Sequence, residues 1–323
     1  MTSRPGAAVA PLPTDLRRAM HAFDEGALDY LAAGTVWEVI GQQAVTAAGP
    51  APGDIVLDAC CGAGASALHL ARMTGPTGRV DAVDLSRQLT RHGALAARRA
   101  GLRHATFRSA DVLDWVARHP SGYDAVVCTL GLMFLPDPAR SLGALTGALR
   151  PGGRITVTTW AAGAMRPLID ILWNARLGCG LAAPPPPPFA AGAAATEEPG
   201  RLLDLAAGAG LDPARVDVHR QKLRLSSSAA WALVRGTVLN SLITELTDHQ
   251  QQRVQRQLDA GMAQCGHLVD ATTLTLCARR PSRPDAMALN TGRDRSERII
   301  RPALTSRSAG GIPGSTSSPP GGT

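Results

Sequence analysis

Aromatic residues make up only 3% of this 323-residue chain: four Phe, two Tyr and five Trp. Any ring contact with a ligand must therefore rest on few positions. Long apolar runs are also missing. The longest are broken by charge or by Gly and Pro, which predicts no membrane-spanning helix. Residues 1–13 lack the basic-then-apolar order of a secretory signal. Six cysteines, at positions 60, 61, 128, 179, 265 and 277, show no CxxC spacing and no nearby pair of His, so no metal site is expected. Reduced thiols in a soluble, cytoplasmic protein fit this pattern.

Basic charge is in excess, but not where a nucleic-acid groove would need it. The net charge is +7, yet residues 279–323 hold eight Arg against three acidic residues, leaving the first 278 positions close to balance. Nucleic acid is therefore an unfavoured partner. The same stretch is rich in Ser, Gly, Pro and Arg and poor in apolar residues, so 281–323 reads as a disordered tail. At the other end, 1–14 reads as a flexible leader. Between them, 45% hydrophobic content supports one domain over 15–280. Pro184–Pro188 favours polyproline II and reads as a spacer.

Within that domain short β-rich runs alternate with helical segments. Asp15–Ala48 has helical spacing and stops at Gly49-Pro50. Strands are expected at Ile55–Leu57, Arg79–Leu85, Ala105–Ser109, Tyr123–Thr129 and Arg154–Trp160, with helices between them. Alternation of this kind makes a parallel sheet with helices on both faces and places ligands at the carboxyl ends of the strands. After Trp160 the rhythm changes. Helices are expected over Met165–Leu181, Arg201–Ala209 and most of Ala229–Ala263, and strands over Val216–Leu225 and Thr272–Ala278, while Ala190–Ala195 is small and featureless. The cofactor-binding part spans about 50–160 and substrate-side helical insertions about 161–266.

The informative segment is Ile55-Val-Leu-Asp-Ala-Cys-Cys-Gly-Ala-Gly-Ala-Ser-Ala-Leu68, in which small residues let a ligand approach backbone amides at a helix start. Gly62-x-Gly64-x-x-Ala67 fits a dinucleotide fingerprint literally, with Asp84 twenty residues after Gly64 as a ribose-binding acid. A dinucleotide enzyme runs its strand directly into the first glycine, whereas here Asp58 intervenes four residues before Gly62. A carboxylate there suits a ligand with a positive amino group.

At this point the chain resembles the class I S-adenosylmethionine-dependent methyltransferases, in their small-molecule branch of quinone and secondary-metabolite enzymes. Their first motif is a hydrophobic strand followed by acid-x-Gly-x-Gly-x-Gly; Cys60 stands where the first glycine is usual. Val80-Asp-Ala-Val-Asp-Leu-Ser86, Ser109-Ala-Asp-Val112, Tyr123–Thr129 and Leu149-Arg-Pro-Gly-Gly-Arg154 follow in the family's order, so the resemblance covers roughly 20–160. It implies a Rossmann-like, doubly wound α/β fold with a mostly parallel seven-stranded sheet. It also implies S-adenosylmethionine as cofactor, held by Asp58, Ala59, Cys60, Gly62, Gly64, Asp84, Leu85, Asp111, Val112 and Thr129. Asp84 would accept from the ribose hydroxyls and Asp111 from the adenine amino group, although Asp111 also fits a plain helix cap. Tyr30, Trp37, Met133 and Phe134 are the candidate pocket lining. The partner implied is a small-molecule methyl acceptor, methylated on O, N or C. Gly131-Leu-Met-Phe-Leu-Pro-Asp-Pro138 departs from the Asn/Asp-Pro-Pro-aromatic pattern of amino-methylating nucleic-acid enzymes. No catalytic residue is assigned, though His21 and His219 lie in segments that could face the pocket. A homodimer is one open assembly. Two other readings stand beside this one: an NAD-dependent oxidoreductase, for which no hydride partner is evident, and a noncatalytic cofactor-binding scaffold.

Overall fold

The computed structural model describes residues 21–120, 122–181, 189–282 and 300–302. The expected leader, the proline run and most of the expected tail lie outside the described residues. Residues 21–25 are helical and lead into α1 (Ala27–Ala32) and α2 (Gly34–Ala48), which ends on Gly49 in the left-handed conformation. The alternating part follows as β1 (Ile55–Ala59), α3 (Ala67–Thr74), β2 (Arg79–Asp84), α4 (Arg87–Arg99), β3 (Ala105–Ser109) and α5 (Val112–Arg118). It continues through β4 (Tyr123–Thr129), a 3₁₀ turn at Leu132–Phe134, α6 (Pro138–Ala148) and β5 (Leu149–Trp160). The helix starts carry their own signals. Ser86 accepts from Leu89 N at α4, and Asp137 accepts from Ala139 N and Arg140 N ahead of Pro138 at α6.

The sheet runs β10-β6-β9-β5-β4-β1-β2-β3. Strands β3, β2, β1, β4 and β5 are parallel, and β9 (Thr273–Arg279) lies antiparallel between β5 and β6 (Ala214–His219). These are the seven strands expected. The eighth is an addition: Ile300–Pro302, β10, pairs in parallel with Val216–Val218 at the open edge. These three residues fall within the stretch 281–323 read from sequence as a tail; an edge strand such as β6 offers unpaired backbone groups that a short segment can take up.

Burial on both faces explains why the strands read as continuous apolar runs. Val56, Val80, Ala125 and Val127 pack with Ala44, Leu70 and Ala71 on one face, whereas Leu57, Val126, Ile155 and Leu276 pack with Leu142, Leu145 and Leu202 on the other. Val56 and Leu57 are neighbours in sequence yet serve opposite cores, as the two-residue period of a strand requires.

Beyond β5 the insertions form α7 (Leu168–Leu177), α8 (Ala190–Thr196), α9 (Pro199–Gly208), α10 (Ser227–Gly236), a 3₁₀ turn at Val238–Leu242, and α11 (Asp248–Gln264). Two expectations change here. Ala190–Ala195 is helical rather than featureless. The single strand expected over Val216–Leu225 breaks after His219, and its second half, β7 (Lys222–Arg224), pairs instead with β8 (Leu268–Asp270) in a separate ribbon. At that break the Gln221 side chain donates to Ala271 O and pairs with the Gln43 amide, turning the chain out of the main sheet. Ala229–Ala263 is mostly helical, as expected, with a break at Thr237, which is extended and caps the 3₁₀ turn.

α10 carries the lead-in helices. A Cβ on Gly236 would lie 2.2 Å from Tyr30 N and 2.7 Å from Asp29 C, so the two backbones touch with no room for a side chain. Gly236→Ala should push α1 away and cost roughly 1–3 kcal/mol of stability, the usual range for overpacking. Thermal melts and the near-ultraviolet signal of the stacked Tyr30–Trp37 pair would report both effects; an unchanged Tm would mean that this contact is loose.

Candidate cofactor and acceptor site

A cavity of about 370 Å³ opens at the carboxyl ends of β1, β2, β4 and β5, the position an open α/β sheet reserves for ligands. Asp58, Cys60, Gly62, Asp84 and Leu85 line one end, together with Asp111, Val112 and Thr129. Of the residues proposed from sequence, two lie outside this wall. Ala59 is buried in β1 between its partners Val83 and Cys128, and Gly64 faces Phe107, whose ring would be 2.8 Å from a Cβ placed there. Tyr30, Trp37, Met133 and Phe134 all line the cavity. His21 and His219 do not. His21 pairs with Glu25 on the exposed side of the first helical segment, and His219 is half-buried with Nε2 unpartnered.

Asp58 is the least ordinary group. Its side chain is 0% exposed, and neither carboxylate oxygen has a side-chain or charged partner; the Ala67 backbone N–H is near enough to offset part of the effect of burial, but not in good hydrogen-bond geometry. Burial first, and then the nearby charge of Asp84, pushes its carboxyl well above the usual range. Asp84 is better served. Its two oxygens accept from Gly62 N and Ser86 N, each at 2.8 Å, so it ties the loop after β1 to the turn after β2. Burial raises its carboxyl, and those amide donors partly offset the rise. Ser86 Oγ and Gln88 N in turn donate to Asp24, which anchors the lead-in segment above the same turn. Asp111 caps α5 through one oxygen, 2.8 Å from Leu113 N, and lines the cavity as well; cap and ligand contact are compatible because a carboxylate has two oxygens.

The glycine departure has a structural answer. Cys60 takes φ 60, the left-handed conformation that glycine would adopt at lower cost, followed by Gly62 at φ 52. Its side chain then needs space, and Gly131 supplies it: a Cβ there would sit 2.5 Å from Cys60 Cβ and 3.0 Å from Cys128 Sγ. The hydrogen bond to Cys128 and then burial raise the Cys60 thiol, and burial and then Asp84 raise that of Cys61, so both stay protonated and serve as packing rather than as nucleophiles. Gly131→Ala should cost roughly 1–3 kcal/mol, and adding Cys60→Gly should restore most of it, because the nearest clash is then removed. Paired denaturant melts would measure this coupling; simple additivity would refute it.

Aromatic rings make up another part of the lining, and Tyr30 brings its hydroxyl up against Gly62. Tyr30 stacks on Trp37 at 4.8 Å, and Trp37 Nε1 donates to Tyr30 O. Phe23 meets both Tyr30 and Phe134 edge-on, and Phe134 meets Phe189 at 5.1 Å. With Trp160, six of the eleven aromatic residues line this one cavity, so the scarce rings are concentrated here rather than spread through the core. Trp160, Phe189 and Glu197 were not legible beforehand. Trp160 ends a strand, a weak signal; Phe189 and Glu197 reach the cavity only through the fold of the insertions.

Comparisons with known proteins agree with this geometry. Residues 56–153 match the family model described as a methyltransferase domain. The 2-phytyl-1,4-naphtoquinone methyltransferase of Trichormus variabilis is 35% identical over 135 residues, 40% of this chain and 56% of that protein. The ubiquinone biosynthesis O-methyltransferase of Xylella fastidiosa is 30% identical over 147 residues, 46% and 52% of the two chains. The chain thus spans about half the length of the curated relatives it matches. A solved structure from Bacillus halodurans, described as a candidate methyltransferase, superposes with a TM-score of 0.50 at 13% identity over 75% of this chain and 98% of its own, a likeness of fold. Residues 56–153 are thus similar to a methyltransferase domain, and the strand ends of that segment form one wall of the cavity.

Proposed function

We propose that this chain is an S-adenosylmethionine-dependent methyltransferase acting on a small, largely apolar organic acceptor. The observation that carries the reading is Asp58, a buried carboxylate on the cavity wall with no side-chain or charged partner. Such a group is costly unless a cation pairs with it, and the ammonium of the cofactor's amino-acid moiety is such a cation. Asp84 keeps lone pairs free for ribose hydroxyls beyond those used by Gly62 N and Ser86 N, and the second oxygen of Asp111 is free for an adenine amino group. The bound cofactor supplies an electrophilic methyl group on a sulfonium. The chain's own part is to hold the nucleophile in line and to exclude water; positioning of this kind supplies several kcal/mol, and the ring of Phe23, Phe134, Trp160 and Phe189 provides a dry, flat-sided chamber for it. One relative is named for a naphthoquinone and another for ubiquinone biosynthesis, so quinols and phenols are the first acceptors to test.

A dinucleotide fits the cavity poorly. Its pyrophosphate would lie over Gly62 beside Asp58 and Asp84, and among the described residues no Arg, Lys or His lines the cavity to offset the charge. Among the described residues no helix is long and apolar enough to cross a membrane, and free cysteines accompany the cytoplasmic reading. Calorimetric titration with S-adenosylhomocysteine, beside NAD(H), tests the proposal. Micromolar binding of the first alone supports it, NAD(H) binding replaces it with an oxidoreductase, and no binding of either leaves a scaffold.

A further inference from the structure

One acid on the cavity wall is not used by the proposed cofactor binding. Among the described residues four charged ones line the cavity, Asp58, Asp84, Asp111 and Glu197, and all four are acids, in a chain with 33 Lys and Arg. The three aspartates sit at the ends of β1–β3. Glu197 lines the same cavity, immediately after α8, and its backbone is held there on two sides: Thr159 Oγ1 donates to Thr196 O at 2.9 Å, and Ala162 N donates to Glu197 O at 3.0 Å. These bonds clip the end of α8 onto the end of β5, beside Trp160 and Ala161 of the same wall. Its neighbour Glu198 pairs with Arg201 on the exposed side, whereas the Glu197 carboxylate has no hydrogen bond or ion pair among the described residues.

We infer that Glu197 selects the methyl acceptor: it receives a hydrogen bond from a hydroxyl or ammonium group on an aromatic acceptor, so the site takes neutral or cationic aromatic donors and rejects anionic ones. This deepens the methyltransferase reading and rests on it for the word acceptor. Electrostatics carries the selection. An aryl carboxylate or phosphate entering beside Glu197 finds no counter-charge among the described lining residues, and loses its water without compensation. A hydroxyl meets a free carboxylate acceptor, and an ammonium meets both that carboxylate and the faces of Phe189, Phe134 or Trp160, which attract cations.

The test uses the full chain saturated with S-adenosylhomocysteine and three probes of one shape: 2-naphthol, 2-naphthylmethylamine and 2-naphthoate, titrated calorimetrically at neutral pH into wild type and Glu197→Gln. In wild type the alcohol and the amine should bind, and the naphthoate should bind at least about tenfold more weakly than either. In Glu197→Gln the amine should lose about tenfold or more, the naphthoate should gain, and the alcohol should change least, because a glutamine oxygen still accepts from a hydroxyl. Naphthoate binding as tightly as the others, an unchanged ranking in the variant, or no binding by any probe would each overturn the inference. S-adenosylhomocysteine binding is measured first in both proteins. If it fails, the cofactor reading falls, and the same probe series on the unliganded protein still decides the role of Glu197.

Discussion

Asp58→Asn should give a protein that melts above wild type in the absence of ligand and binds S-adenosylhomocysteine at least about tenfold more weakly. The two effects have one cause. In the unliganded protein Asp58 is a fully buried carboxylate without a side-chain or charged partner, so its charged form is held in the fold at a cost; a neutral amide of nearly the same shape relieves most of it. The sign of the pH dependence follows from the direction of the shift. Burial and Asp84 raise the folded-state value above the unfolded carboxylate value of about 3.9, so the folded protein holds a proton that the unfolded chain has released. The cost is absent below the unfolded value and grows as pH rises through the window up to the raised folded value. The gap in Tm between variant and wild type should therefore widen as pH rises above the unfolded carboxylate value of about 3.9, and stabilisation of wild type by S-adenosylhomocysteine should grow in the same direction. A variant that melts lower and binds equally well would show that Asp58 has a structural partner and no ligand.

Asp84→Ala should weaken cofactor affinity by roughly 1–3 kcal/mol, the range for charge-assisted hydrogen bonds, and should also loosen the loop that receives the cofactor. From sequence this substitution reads as a loss of ligand contacts with little effect on folding. In the structure Asp84 also holds Gly62 N and Ser86 N, so its removal leaves two backbone donors without their acceptor. Relief of the buried carboxylate, whose value is raised, offsets part of that loss in global stability. The Tm should therefore move little, while hydrogen exchange at Gly62 and Ser86 accelerates. Unchanged affinity would remove Asp84 from the ribose role, and unchanged exchange would remove it from the loop.

Much of the domain was legible because its signals are local. β3 and β4 fall at the expected residues, and β1, β2 and β5 differ only at their ends, because short apolar runs bounded by Gly, Pro and Asp leave few alternatives. The insertions were less legible for the same reason in reverse. Ala190–Thr196 carries no periodic contrast, and the run from Val216 to Leu225 looks like one strand until Gln221 meets Gln43 and Ala271, residues far away in sequence. The Ile300–Pro302 strand lies in a polar stretch, and only the open edge of β6 gives it a place.

The sequence by itself determined the alternation of strand and helix, the acid before the glycine loop, the acids at Asp84 and Asp111, and the likeness to class I methyltransferases. Each depends on residue type at short spacing, which fixes backbone direction and burial locally. Only the tertiary structure decided that Asp58 has no side-chain partner, that Gly131 makes room for Cys60, that scattered aromatics line one chamber, and that Glu197 shares it with the three aspartates. Those facts join segments far apart in the chain, and packing sets them after the local pattern is complete.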